Sequence, residues 1–137
     1  MKKSQNSKSR IQKENAKSKT DLKKRLIMFS IEVIKFCSLL KSSKNFFVLS
    51  DQLLRSGTSI GANIIEAKGS GSKREYIHFF EIALRSANET KYWLLLVRET
   101  QFRHKQKADL LLQEAKELSK IISAGILTMK GKRNFDF

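Results

Sequence analysis

Apolar residues recur along this chain at steps of four and three, in four separate runs. In the first, Leu22, Leu26, Phe29, Val33, Phe36 and Leu40 fall at spacings of 4, 3, 4, 3 and 4. Side chains so spaced share one stripe of an α-helix and form a heptad seam. The second run carries Phe46, Leu49, Leu53, Ile60, Ile64 and Ala67, and the third Tyr76, Phe79, Phe80, Ala83, Ala87, Leu94 and Val97. The fourth repeats the spacing of the first with Leu111, Ala115, Leu118, Ile122, Gly125 and Met129. The pattern predicts four helices, each about 30–40 Å long.

Polar stretches separate the runs. "KSSKN" (41–45) and "QFRHKQK" (101–107) read as turns, and Thr20 or Asp21 can cap the first helix. Short connections force neighbouring helices to run antiparallel. The expected fold is therefore all-α, an antiparallel up-down-up-down four-helix bundle. A three-helix alternative would require the second helix to break at Gly57. Residues 1–18, "MKKSQNSKSRIQKENAKS", have almost no apolar content and read as a disordered basic N-terminal arm. The bundle then spans 19–130, and 131–137, "GKRNFDF", form a C-terminal tail.

The third helix breaks the one-sided pattern. The run "YWLLLV" (92–97) places apolar groups all round the cylinder, and a helix of that kind is buried on more than one side. Amphipathic cover by Tyr and Trp is the competing explanation. The reading adopted is a subunit interface through Tyr92, Trp93 and Leu96.

The stretch "RSGTSIGANIIEAKGSGSKREY" (55–76) admits three readings: a phosphate-cradling loop, a flexible linker, or one helix ending where the next begins. A Walker loop needs G-x-x-x-x-G-K-[ST] after a strand, and a dinucleotide loop needs G-x-G-x-x-G in a βαβ unit; "GSGSKR" fits neither. Gly57 and Gly61, four apart, instead make a bulk-free helical face among Ser56, Thr58, Ser59 and Ala62. Such a face lets another helix approach closely, offsetting about 1 kcal/mol of helical cost per glycine. Gly69 suits a left-handed C-terminal cap, and Ser72-x-x-Glu75 is a capping box opening the third helix. Arg55, Ser59, Asn63 and Glu66 form a polar line beside the apolar seam, and Glu89 occupies a similar line on the third helix. They form either a solvated face or a buried hydrogen-bonded network that fixes register. The network is the reading adopted.

Composition supports the helical reading, since 137 residues contain no proline and only six glycines. Charge adds a partner class. Lys and Arg number 28 against 13 Asp and Glu, a net +15. Residues 1–25 hold ten basic and two acidic groups, so this N-terminal segment carries about half of the excess. A basic field of this size attracts polyanions, nucleic acid first and anionic membrane second. The segment 26–40 is too short, and too interrupted by Glu32 and Lys35, to span a bilayer. Cys37, the lone cysteine, excludes an intrachain disulfide and suits a reducing cytoplasm. Glu75-x-x-His78 has the spacing of a di-iron ligand pair, but such sites need a second pair and two further glutamates. No metal site, cofactor or catalytic residue is assigned.

At residues 59–96 the sequence resembles the four-helix-bundle proteins encoded in 23S ribosomal RNA intervening sequences. Their pattern is met by Ser59, Ile60, Asn63, Ile64 and Glu66, then by Ser72, Lys73, Glu75, Tyr76, Ile77 and Phe79, and finally by Ile82, Ala83, Ser86 and Glu89. The chain departs from it at Ala67, where many relatives have glycine, and at Gly61, where proline is common. The resemblance implies an antiparallel four-helix bundle that assembles into a ring-like homopentamer, in a family for which no enzymatic activity is established. The sequence is also similar to the accessory variability proteins of diversity-generating retroelements, basic bundles that engage nucleic acid and a reverse transcriptase.

Together these readings predict a non-catalytic, oligomeric, cytoplasmic bundle that binds nucleic acid, RNA in preference, through phosphate contacts. Candidate contacts are Lys2, Lys3, Lys8, Arg10, Lys13, Lys17 and Lys19 of the arm, Lys73 and Arg74 of the second turn, and Arg103, Lys105 and Lys107 of the third. The alternative is a protein-interaction scaffold whose arm only aids solubility.

Overall fold

The four apolar seams become four helices with short connections. The computed structural model describes residues 22–42 and 46–135. Helix α1 covers 22–40, α2 Phe47–Lys68, α3 Lys73–Thr100 and α4 Lys105–Phe135, with a single 3-10 turn, Phe102–His104, before α4. The predicted arm and the Thr20 or Asp21 cap lie outside the described residues.

Neighbouring helices run antiparallel, as side-chain pairs along their lengths demonstrate. On α1 and α4, Arg25 meets Glu114 while Lys107 donates to Glu32 at 2.7 Å. On α3 and α4, Arg98 meets Asp109, Lys91 meets Ser119 and Lys130 meets Glu81, one number rising as the other falls. α1 packs on α2 through Leu26 beside Gly61 and Cys37 beside Ser50. α3 touches both α2 and α4, whereas α2 and α4 lie diagonally apart. This is the up-down-up-down arrangement.

The buried side chains are those the spacing selects. Leu26, Phe29, Val33, Phe36 and Leu40 of α1 interdigitate with Leu53, Ile60 and Ile64 of α2, Leu94 and Val97 of α3, and Leu111, Leu118 and Ile122 of α4. Each such side chain contributes about 1.5–3 kcal/mol by leaving water. Leu22, Phe46, Leu49, Tyr76, Phe79 and Met129 close the edges, half-buried.

Helix ends differ from expectation in three places. α4 begins at Lys105, inside the stretch read as a turn, because only Gln101–His104 are needed to reverse the chain. It also continues through Phe135, past the boundary placed at 130, because no proline follows and one glycine, Gly131, costs only about 1 kcal/mol. Gly69 is not left-handed: its φ is −90° and its ψ −1°. α2 ends instead by tightening, with Gly69 N donating to the Glu66 carbonyl and Ser70 N to that of Ala67, each at 3.1 Å. Such i→i−3 bonds satisfy terminal carbonyls without a positive φ. The Ser72 cap forms as expected, its Oγ accepting from Glu75 N at 3.1 Å. The Glu75 carboxylate accepts from Gly71 N at 3.3 Å, one residue before the capping serine.

α2 is unbroken through its glycines, and Gly57 is where α1 comes nearest. A Cβ on Gly57 would stand 2.9 and 3.1 Å from the two γ-carbons of Val33, a fully buried, β-branched side chain. At Gly61 the nearest atom would be Leu26 Cβ at 3.5 Å, an ordinary contact. Gly57→Ala should therefore destabilise the fold by about 1 kcal/mol net, overpacking outweighing better helix propensity. Gly61→Ala should be neutral or stabilising by up to about 1 kcal/mol. Urea denaturation measures both, and adding Val33→Ala should remove most of the Gly57→Ala penalty.

Candidate nucleic-acid interface

The distribution of ion pairs decides which cations face solvent unneutralised. Most acidic groups of the bundle are engaged. Glu114 holds Arg25, Glu32 holds Lys107 and Lys35, Asp51 holds Lys41, Glu81 holds Lys130, and Arg98 bridges Glu99 and Asp109 at 3.0 Å each. The hydrogen bond and charge of Lys107 keep the Glu32 carboxyl below its ordinary range, and Lys130 does the same for Glu81. The Asp109 and Glu99 carboxylates push Arg98 above its usual value.

Lys23, Lys24, Lys68, Lys73 and Arg74 have no ion pair among the described residues. They gather at the end where α2 turns into α3 and α1 begins, and Lys23 and Lys68 border the same groove. The chain before residue 22, with the predicted arm contacts Lys2, Lys3, Lys8, Arg10, Lys13, Lys17 and Lys19, joins the bundle at this end but lies outside the described residues. Arg103 and Lys105 are exposed at the opposite end. Lys107, placed with them from sequence, is instead half-buried against Glu32; its position on the α1 side of α4 makes it a strut between helices.

Apolar exposure is concentrated on α1 and α2. Ile27, Ile31 and Ile34 on α1 stand opposite Thr58, Ala62 and Ile65 on α2, both triplets at steps of four and three. Between them runs a groove of about 560 Å³, floored in part by Gly61. Ile34 is 48% and Ile65 57% exposed. Of the residues assigned to a subunit interface from sequence, Tyr92 is 55% exposed. Trp93 and Leu96 are half-buried, and Trp93 Nε1 donates to Glu89 at 3.3 Å. Sequence reasoning missed the groove because the α1 seam accounted for only one side of a helix whose other side is also rich in isoleucine.

The family model for the 23S rRNA-intervening sequence protein matches residues 18–124. The chain belongs to this family. A solved protein of unknown function from the S23 ribosomal protein family of Bacteroides thetaiotaomicron VPI-5482 is 35% identical, with a TM-score of 0.72 over 77% of this chain and 97% of that one. No curated protein matches the chain.

The motif residues of this chain act mainly on structure. Ile60, Ile64 and Ala83 are core, and Ser72 and Glu75 form the cap. The buried polar network expected of Arg55, Ser59, Asn63, Glu66 and Glu89 takes a different form. Arg55 pairs with Glu89 and reaches Gln52 at 2.9 Å, but its side chain is largely exposed. Ser59 and Asn63 bond back to their own helix, to the carbonyls of Arg55 and Ser59 at 2.6 and 2.8 Å. Glu66 is exposed and outside the pairing. The line lies too far round α2 from the core seam to be buried. The buried polar contacts are smaller hydroxyls. Ser56 and Thr90 stand 3.0 Å apart between α2 and α3, and Ser50 Oγ donates to the Cys37 carbonyl at 3.1 Å between α2 and α1. Burial also pushes the Cys37 thiol up, and its Sγ donates to the Ser50 carbonyl; it is a packed hydrophobe. Among the described residues no three His, Cys, Asp or Glu side chains are grouped to hold a metal, and no helix is long and apolar enough to cross a membrane.

Because Glu32 and Glu81 have depressed folded-state pKa values, their pairing supports the fold above the ordinary carboxylate range. That support is lost as pH falls through the lower folded values. The stability gap between wild type and Glu32→Gln/Glu81→Gln should close as pH falls from the ordinary carboxylate range to below it. Urea midpoints across that range test this, and a gap independent of pH would contradict it.

Proposed function

We propose that this protein is a non-catalytic, oligomeric cytoplasmic bundle that binds nucleic acid, RNA in preference, through phosphate contacts. The observation that carries the reading is the cluster of Lys23, Lys24, Lys68, Lys73 and Arg74 at one end of the bundle, without ion pairs among the described residues. Residues 1–21 carry seven further Lys and Arg in the sequence immediately before α1, a second cation set for the same polyanion. Contacts of this type are to the backbone and largely indifferent to sequence. Affinity for ribosomal RNA fragments should fall steeply, by about a thousand-fold or more between about 50 and 200 mM salt if six or more phosphates are engaged. Lys73→Glu/Arg74→Glu and deletion of 1–18 should each weaken binding and flatten the salt slope, read by filter binding. Salt-insensitive binding, or none, would refute the reading.

The α1–α2 groove supports assembly with copies of the same chain. Its concave floor between the isoleucine ridge of α1 and Thr58, Ala62 and Ile65 of α2 fits a convex partner, and the exposed Tyr92 and Leu95 on α3 offer one on a different face of the molecule. Joining unlike faces generates a ring when the rotation closes, which suits the pentamer implied by family resemblance. A scaffold that docks another protein is the alternative occupant. Ile31→Glu, which places a charge in the groove without entering the core, should yield monomers in sedimentation velocity while helicity is retained. Unchanged assembly would exclude the groove as the interface.

A further inference from the structure

The 3-10 turn between α3 and α4 carries Phe102, which is 92% exposed. The turn itself is firmly held. Gln101 N donates to the Val97 carbonyl at 2.8 Å and His104 N to that of Gln101 at 3.0 Å. The His104 ring stands edge-on to the buried Phe36, centroids 6.0 Å apart. Arg98 ties Glu99 to Asp109 across the two helices. His104 therefore points inward, whereas Phe102 is held outward on a fixed backbone and contributes nothing to the core. Beside it lies a shallow hollow of about 630 Å³ bordered by Arg98, Arg103, Lys105, Gln106 and Asp109. Arg98 pairs with both local carboxylates but its single charge offsets only one, so the three cations bordering the hollow outnumber its two carboxylates by one. Arg103 and Lys105 are left as the charges flanking the ring, without ion pairs among the described residues.

We infer that Phe102 is a stacking platform for an unpaired base of single-stranded RNA, with Arg103 and Lys105 taking the adjoining phosphates. This rests on the nucleic-acid reading above and adds a subsite at the other end of the bundle. An aromatic face between cations is what a flexible strand requires, because every base has a π-face and every linkage a negative charge. A duplex offers no free face, its bases being stacked on one another. A protein partner fits less well. Among the described residues Phe102 is the only large apolar side chain bordering the hollow, far short of the roughly 1,000 Å² that a specific protein interface buries.

The test is fluorescence anisotropy on the full-length protein with a labelled short oligouridylate and a labelled RNA duplex. Phe102→Ala, Phe102→Leu and Phe102→Trp are compared with wild type. Alanine should weaken oligouridylate binding about five-fold or more while leaving duplex binding and the thermal midpoint unchanged, since the ring packs on nothing. Leucine should behave as alanine does, and tryptophan should keep wild-type affinity or exceed it. Wild type that binds oligouridylate with no loss in Phe102→Ala would overturn the platform and leave the phosphate reading standing. Full affinity in Phe102→Leu would overturn stacking in favour of a plain apolar contact, of the kind a protein partner makes. Binding of neither RNA by wild type would overturn the platform together with the reading beneath it.

Discussion

Gly57 lies against Val33 with no room for a β-carbon between them, and much of the molecule follows from that contact. It lets α1 and α2 approach until Ser50 and Cys37 exchange hydrogen bonds across the seam. The same bulk-free face continues to Gly61 and leaves the floor of the outer groove open. A larger residue at 57 would push the helices apart, loosening the core on one side and altering the groove on the other. Packing density in a helical interior makes such a displacement costly, so the close approach is a constraint to which the remaining helices adapt.

Electrostatics is organised on that frame in two tiers. Along the shafts, acidic groups are matched to lysines and arginines of neighbouring helices, as in Glu32 with Lys107 and Glu81 with Lys130. Exposed pairs of this kind contribute little to stability individually. Their larger consequence is negative: they remove anions from the surface balance and leave unmatched cations at both ends, beside Arg85, Lys116 and Lys120 along the shafts. Both ends of this strongly basic chain are thereby cationic, with Lys23, Lys68, Lys73 and Arg74 at one and Arg103 and Lys105 at the other. Polyanions sense that field over about a Debye length, and the reading of function follows from it.

The fold was legible because a heptad seam states both the secondary structure and the side that will be buried. Val33, Phe36, Leu53, Leu94, Leu118 and Ile122 are fully buried where their spacing requires it. The Ser72 cap was equally legible, being a local hydrogen bond between residues three apart. Less of the site could be read. Lys107 looked like its neighbours Arg103 and Lys105 until α1 placed Glu32 beside it. Of the expected buried network only Arg55 and Glu89 meet, at an exposed position, while Ser59 and Asn63 turn to their own backbone, a choice sequence spacing does not distinguish. Phe102 sits within a stretch read simply as a turn, although an aromatic residue next to Arg103 and Lys105 was a signal available in the letters.

The sequence by itself determined what depends on neighbours three and four residues away: the helices, their buried stripes, the small face of α2 and the opening cap of α3. Their antiparallel order also followed, since short connections leave no other route. Only the tertiary structure decided which polar groups meet, because an ion pair joins residues from different helices whose relative rotation no local pattern contains. It likewise decided that the second apolar face of α1 lines a groove with α2, and that Phe102 points away from the core while His104 points into it. Those outcomes depend on how far each helix is turned about its own axis, and that rotation is set by the packing of all four together.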